Sequence, residues 1–198
     1  MAKMKFLNFI NRIIRFPFNV IRYIAGRIKF AEFGRHSAIS HPLRITGSKN
    51  IHIGRNVLIY SKAWISANPI TGFTPELIIS DNISIGDFAH IVASRRIVIG
   101  PDVLIANHVY ISDNLHCYED PEIPVRWQPI NQCNDVYIGE GSWIGENVCI
   151  IGASLGKHCV IGANSVVTHD IPDFCVAVGA PARVIKKFDF EKNVWVRV

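Results

Sequence analysis

An aliphatic residue returns at every sixth position through most of the chain. Ile53, Ile59 and Ile65 form one set, Ile79, Ile85 and Ile91 a second, and Ile99, Ile105 and Ile111 a third. Ile138, Ile144 and Ile150 form a fourth set, and Leu155, Ile161 and Val167 a fifth. Glycine follows directly at Gly54, Gly86, Gly100, Gly139, Gly145, Gly156 and Gly162. Six is even, so in extended chain these side chains share one face. On an α-helix six residues rotate the side chain by roughly 240°, which would scatter the pattern around the barrel. The repeat therefore predicts short strands that turn every six residues and wind into a parallel β-helix, each coil burying its core against its neighbours. Such a solenoid needs no second core. One domain is expected over residues 36–187, with a segment 1–35 before it and a tail 188–198 after it.

The repeat breaks in four places. Asn68 to Glu76 contains Pro69, Gly72 and Pro75 and predicts a loop thrown off a corner. An excess of two residues at Arg95-Arg96 separates the second set from the third. Between Gly152 and Leu155 the spacing is one residue short, which predicts a tightened corner. The longest break, 117–135, holds Pro121, Pro124, Pro129, Tyr118 and Trp127, and a loop of that length on a solenoid is more often functional than decorative. Glu119, Asp120 and Arg126 read as its solvated surface.

The net charge of +5 lives in the N-terminal segment. Up to Arg35 eight basic residues face Glu32 alone, while the remainder carries thirteen basic and fifteen acidic residues. Phe6, Phe9, Ile10 and Ile13, then Ile21, Ile24 and Ile28, recur at helical spacing on either side of Pro17. This predicts two amphipathic helices broken at Phe16-Pro17. Neither apolar stretch is long enough to span a bilayer. Two readings stay open: a cap over the first coil or a neighbouring subunit, and a helix lying on an anionic membrane surface through residues 1–30. Nucleic-acid binding is not expected, because the basic residues are interleaved with bulky aliphatics and no nucleic-acid motif follows. Cys117, Cys133, Cys149, Cys159 and Cys175 form no CxxC pair, and their odd number points to reduced thiols in a cytoplasmic setting. Cys159 falls where small residues pack inside the turn. Cys117 beside His116 does not make a dyad, because adjacent residues in extended chain face opposite ways.

The runs IGRNVL, ISIGDF, IGPDVL, IGEGSWIGENVC and LGKHCVIGANSVV, with the ending VVTHDIPDFCVAVGAPARVIKK, resemble the hexapeptide-repeat acyltransferases. The likeness covers about residues 45–187 and is nearest to the sugar O-acetyltransferase branch. It implies an all-β solenoid, specifically a left-handed parallel β-helix with a protruding loop. The left hand comes from the resemblance alone, since general crossover rules favour the right. It also implies acetyl-CoA as donor, no metal, a homotrimer, and a sugar or lipid-linked saccharide as acceptor. Bacterial lipopolysaccharide or exopolysaccharide synthesis, on or near the cytoplasmic face of the inner membrane, is the expected setting.

By this resemblance His116, at the base of the long loop, is the catalytic histidine. A sugar hydroxyl is a weak nucleophile at neutral pH, and histidine, with an ordinary pKa of about 6.5, can take its proton as it attacks the thioester. The family position that holds the acceptor hydroxyl falls at His108, with Asn107 beside it. Asp113, Asn114 and Tyr118 flank His116 and read equally well as sugar contacts or turn residues. For the donor, Trp143, Gly145, Ala163, Thr168, Arg183 and Lys186 match by position, with Gly162 and Ala163 keeping a low wall and Lys187 adding charge. His169 stands where the family commonly has lysine. Trp143 reads first as packing. The alternatives are an N-acetyltransferase of an amino sugar, an antibiotic acetyltransferase, a γ-type carbonic anhydrase using His90, His108 and His116, and a non-catalytic scaffold.

Overall fold

The computed structural model describes residues 23–198. The first predicted helix and the break at Pro17 lie outside those residues. Three parallel sheets hold most of the strands. Sheet A stacks Glu32–Phe33, Ile51–Ile53, Glu76–Ile79, Arg96–Ile99 and Val136–Ile138. Sheet B stacks Ala38–Ile39, Leu58–Ile59, Ser84–Ile85, Leu104–Ile105, Trp143–Ile144, Val160–Ile161 and Cys175–Gly179. Sheet C stacks Arg44–Thr46, Trp64–Ala67, His90–Ala93, Tyr110–Ser112, Cys149–Ile151 and Val166–Val167. Along the chain the strands visit A, B and C in turn, so each passage lays one coil on the last. The register keeps repeat positions aligned: Ile59 opposes Ile85, and Ile65 opposes Ile91.

The hexad residues line the interior. Members of all five sets are at most 3% exposed, from Ile53 to Leu155. A fully buried isoleucine contributes about 1.5–3 kcal/mol, so the inner rows are the main source of stability. At the corners the backbone enters the left-handed region, at Asn56, Asn82, Asp102, Asn147 and Asn164 among others. Asn and Asp tolerate this conformation better than other side chains. Gly145 is buried for a different reason. A Cβ there would stand 2.8 Å from Ala163 N and Ile161 O, so close stacking of two coils needs hydrogen at this point.

The breaks fall where expected, with differences in detail. Ser94 and Arg95 form the two-residue excess between strands of sheets C and A. The shortened spacing leaves Leu155 in single bridges to Ile138 and Ile171 rather than in a strand. The solenoid begins at Glu32–Phe33, which pairs with His52–Ile53, inside the segment assigned to the N-terminus by charge. Phe33, Ile39 and Ile45 are its inner positions, again six apart. The tail is not loose: Ala182–Asp189 and Val194–Arg197 continue sheet B as antiparallel strands.

Residues 23–29 are helical. The face turned to the first coil is Tyr23, Gly26 and Phe30, with Phe30 stacked on Phe33 at 5.6 Å. Lys49 Nζ donates to the Ile28 carbonyl near the helix end, where a cation meets the negative pole of the dipole. Ile24 and Ile28, members of the predicted apolar row, are 53% and 69% exposed. No helix among the described residues is long and apolar enough to cross a membrane.

Candidate functional site

All four breaks open on the same edge of the prism, where sheet C passes to sheet A. The longest does not begin as an irregular loop at Cys117. It rises as an antiparallel hairpin, Asn114–His116 against Ile130–Gln132, with His116 opposite Ile130. Cys117 N continues the ladder to Pro129 O at 2.9 Å. His116 is exposed on this stem, beyond the last residue of sheet C. The outer part is tied by Gln128, whose Nε2 donates to the carbonyls of Asp120 and Ile123. At its tip Arg126 lies over the Trp127 ring at 4.6 Å, and Tyr118 and Trp127 are each 70% exposed.

Asp113 sits under this hairpin and is fully buried. Its Oδ1 accepts from Ser94 N, Ser94 Oγ and Asn114 Nδ2, and its Oδ2 accepts from Arg95 N and Arg96 N. Burial pushes the carboxyl up, but the hydrogen bonds from Asn114, Arg95 and Ser94 outweigh it and hold the group below the ordinary aspartate range. Asp113 therefore faces inward and does not present a carboxylate to an acceptor. Asn114 is likewise buried, with its amide on Asp113 and its backbone N–H on Ser112 Oγ. Of the two readings, turn residue is the one that describes both. Tyr118 alone of the three is open to solvent.

Asn107 and His108 occupy a different edge, where sheet B passes to sheet C. Asn107 Oδ1 accepts from Asp87 N at 2.8 Å, which fastens this corner to the one below. His108 stacks on Phe88 at 4.9 Å, and its Nδ1 lies 3.4 Å from Glu146 Oε1. The sheet C strand separates this corner from His116, roughly 15 Å of extended chain. Within one chain Asn107 and His108 do not meet His116. Nor do the three histidines gather: His90 is sandwiched between Trp64, at 4.2 Å, and Tyr110 on the outside of sheet C. Burial lowers the His90 pKa.

The residues matched to a donor also divide between edges. Trp143, 51% exposed, lies on the outside of sheet B, with Gly145 and Ala163 at the adjoining BC corner. Gly145 is bare because Ala163 stacks on it. Gly162 likewise faces Val178, 2.7 Å from where its Cβ would be. Thr168 and His169, 3.0 Å apart through Oγ1 and Nδ1, lie on the CA edge, the edge of His116. Along sheet B the outward row runs Leu104, Trp143, Val160, Val176, Lys186 and Arg197 in direct register. Arg197 was hidden in what reads as a tail. The alternation Val194-Trp195-Val196-Arg197 after the Glu191-Lys192-Asn193 turn is the signal that pairs it with Lys186. Among the described residues, no carboxylate lies within ion-pairing distance of Arg183, Lys186 or Arg197.

Cys117 and Cys159 are not nucleophiles in waiting. Partial burial first, and the Glu119 carboxylate second, raise the Cys117 pKa and keep it protonated. Cys159 is fully buried, and burial raises its pKa too.

Residues 135–169 match the family described as the hexapeptide repeat of succinyl-transferase. Galactoside O-acetyltransferase from Escherichia coli K12 is 31% identical over 175 residues, covering 85% of this chain and 70% of that protein. The chain belongs to the hexapeptide-repeat acyltransferase family. A putative lipopolysaccharide biosynthesis O-acetyl transferase of the same organism, WbbJ, is 38% identical over 59% of this chain. The chain spans 63% of the length of that relative and 44% of a probable acetyltransferase from Mycobacterium tuberculosis. A solved maltose O-acetyltransferase from Clostridium difficile 630 overlaps with a TM-score of 0.55 at 31% identity, over 83% of this chain and 73% of that one. His116 on the hairpin and His169 are both exposed imidazoles on the CA edge.

Proposed function

We propose that this protein is an acetyl-CoA-dependent O-acetyltransferase acting on a sugar hydroxyl in bacterial surface-polysaccharide synthesis. The observation that carries the reading is His116: an exposed imidazole on a hairpin anchored by the buried Asp113, in a chain related to galactoside O-acetyltransferase. His116 takes the proton of the acceptor hydroxyl as its oxygen attacks the thioester carbon. The tetrahedral intermediate then collapses, the C–S bond breaks, and the proton passes to the departing thiolate. No acyl-enzyme is needed, in keeping with a Cys117 held as a thiol.

The donor slot forms between copies. His116, Thr168 and His169 lie on the CA edge, whereas His108, Gly145, Ala163 and the neighbouring Trp143 lie at or beside the BC edge. The two sets line one slot only when the CA edge of one copy meets the BC edge of another. Three such contacts close a ring. Leu58, Tyr60, Phe88, Leu104 and Trp143, between 41% and 53% exposed along sheet B and its BC edge, supply the apolar surface for that contact. Left-handed winding belongs to the same reading and is supported by the overlap with the maltose O-acetyltransferase.

Transfer of labelled acetyl from acetyl-CoA to a panel of free, nucleotide-linked and lipid-linked sugars tests the proposal. Wild-type protein acetylates at least one of them, and His116→Ala lowers kcat by at least about a hundredfold with coenzyme A affinity nearly unchanged. Near wild-type turnover in His116→Ala removes the histidine from the mechanism.

A further inference from the structure

The loop at 68–75, two coils below the His116 hairpin, reaches the same CA edge and touches the hairpin base at two points. Thr71 Oγ1 donates to Gln132 Oε1 at 2.6 Å across a sequence separation of 61 residues. Gln132 in turn donates through Nε2 to the main-chain carbonyl of Asp113 at 2.7 Å, and pairs across the hairpin with Asn114. The second contact runs through a cation. Phe73 lies 5.4 Å from the Arg95 guanidinium, and Arg95 pairs with Asp135, where the excursion rejoins sheet A. Ser94 closes the network, donating to Asp113 Oδ1 and lying 2.9 Å from Gln132 Oε1.

A solenoid needs none of this. Its coils are stabilised by the inner isoleucines, and a hairpin that projects from one corner gains nothing from that core. A two-stranded hairpin alone is marginal in water. The stem carrying His116 is ordered by what grips its base, and one of the grips comes from a loop that is remote in sequence.

We propose that the loop 68–75 is a latch that positions His116, acting through Thr71 on Gln132 and through Phe73 and Arg95 on Asp135. The proposal rests on the reading of His116 as general base. Thr71 and Gln132 are positioning residues: they act on the stem, not on the acceptor. The latch fixes the angle at which the imidazole meets the acceptor hydroxyl, and small misplacements of a base cost rate rather than affinity.

Hydrogen–deuterium exchange of the intact protein, read together with kinetics, tests this. In Thr71→Val the shape is kept and the donor is lost. Exchange of the 114–116 and 130–132 amides should rise about fivefold, while the strands of the coils stay protected. The kcat should fall about three- to tenfold with KM for acetyl-CoA unchanged, and Thr71→Ser should restore both. Phe73→Ala should loosen the same amides. Unchanged exchange in both variants overturns the latch, and so does raised exchange with an unchanged kcat. If the wild-type protein acetylates no acceptor, the reading of His116 fails by itself. The exchange result then decides the latch, raised protection loss in the hairpin supporting it and unchanged protection overturning it.

Discussion

Asp113 shows how a single residue can read as a substrate contact in sequence and be structural in space. It is acidic, three residues from the candidate base, and in a stretch rich in polar side chains. Its partners Ser94, Arg95 and Arg96 lie 17–19 residues earlier, one coil below, and no local pattern reveals a contact of that kind. His116 became the candidate base because the resemblance marks its position; the structure adds that it is exposed on the hairpin stem. The burial of Asp113 was not legible, because burial at a corner depends on the coil beneath. The depressed Asp113 pKa has a direct consequence. A carboxyl lower in the folded state than in the unfolded one contributes stability that is complete above the unfolded pKa of about 3.9 and disappears as pH falls through the folded value. Asp113→Asn should therefore destabilise the protein at pH 7, and the gap from wild type should narrow below pH about 4. Urea unfolding at both pH values measures it. An equal gap at pH 7 and pH 3 contradicts the assigned role.

At the level of elements, the repeat announced five coils because inward positions six apart must be aliphatic wherever extended strands stack. The earliest coil obeys the same spacing at Phe33, Ile39 and Ile45, yet its first strand lies within the basic segment and was overshadowed by the charge. The C-terminal hairpin escaped for another reason: its strands run antiparallel with no hexad, so the helical-repeat pattern has nothing to say about them. That hairpin bears on the proposed donor site. It sets Arg197 directly opposite Lys186, and like charges facing each other across a sheet are unfavourable unless an anion lies between them. The phosphates of coenzyme A are such an anion on the reading proposed above. Lys186→Ala with Arg197→Ala should raise KM for acetyl-CoA about tenfold or more while leaving kcat within about twofold. A short acyl-pantetheine thioester, which lacks the nucleotide phosphates, should be used equally by the variant and the wild type. An equal loss with both donors assigns the pair to folding instead.

Taken as a whole molecule, the chain presents an apolar flank and a basic extremity. The flank argues for association. Trp143→Glu, which places a charge in the outward row of sheet B, should convert a trimer to monomers and abolish turnover, and light scattering at assay concentration reads the mass. An active monomer contradicts the shared slot.

The basic extremity raises a separate question, and the structure divides it. Residues 23–30 cover the first coil through Gly26, Tyr23 and Phe30, so their removal would expose core and could not isolate a surface function. The opposite side of the same helical turn presents Ile24 and Ile28 beside the exposed Arg27. Before it, residues 1–22 hold Lys3, Lys5, Arg12, Arg15 and Arg22 and no acidic residue. An apolar row beside cations suits the boundary between headgroups and acyl chains, and an acceptor on a lipid carrier would be met there. Each basic residue near an anionic surface contributes about 1 kcal/mol, with the bulky aliphatics adding buried area. The full chain should therefore sediment with vesicles containing phosphatidylglycerol, release progressively as salt is raised to about 0.5 M, and ignore neutral vesicles. A chain beginning at residue 23 should keep its fold and assembly and lose most of that binding. If it binds equally well, or if the full chain ignores anionic vesicles while remaining an active assembly, residues 1–22 have no membrane role. A soluble sugar or nucleotide-sugar then becomes the acceptor to pursue.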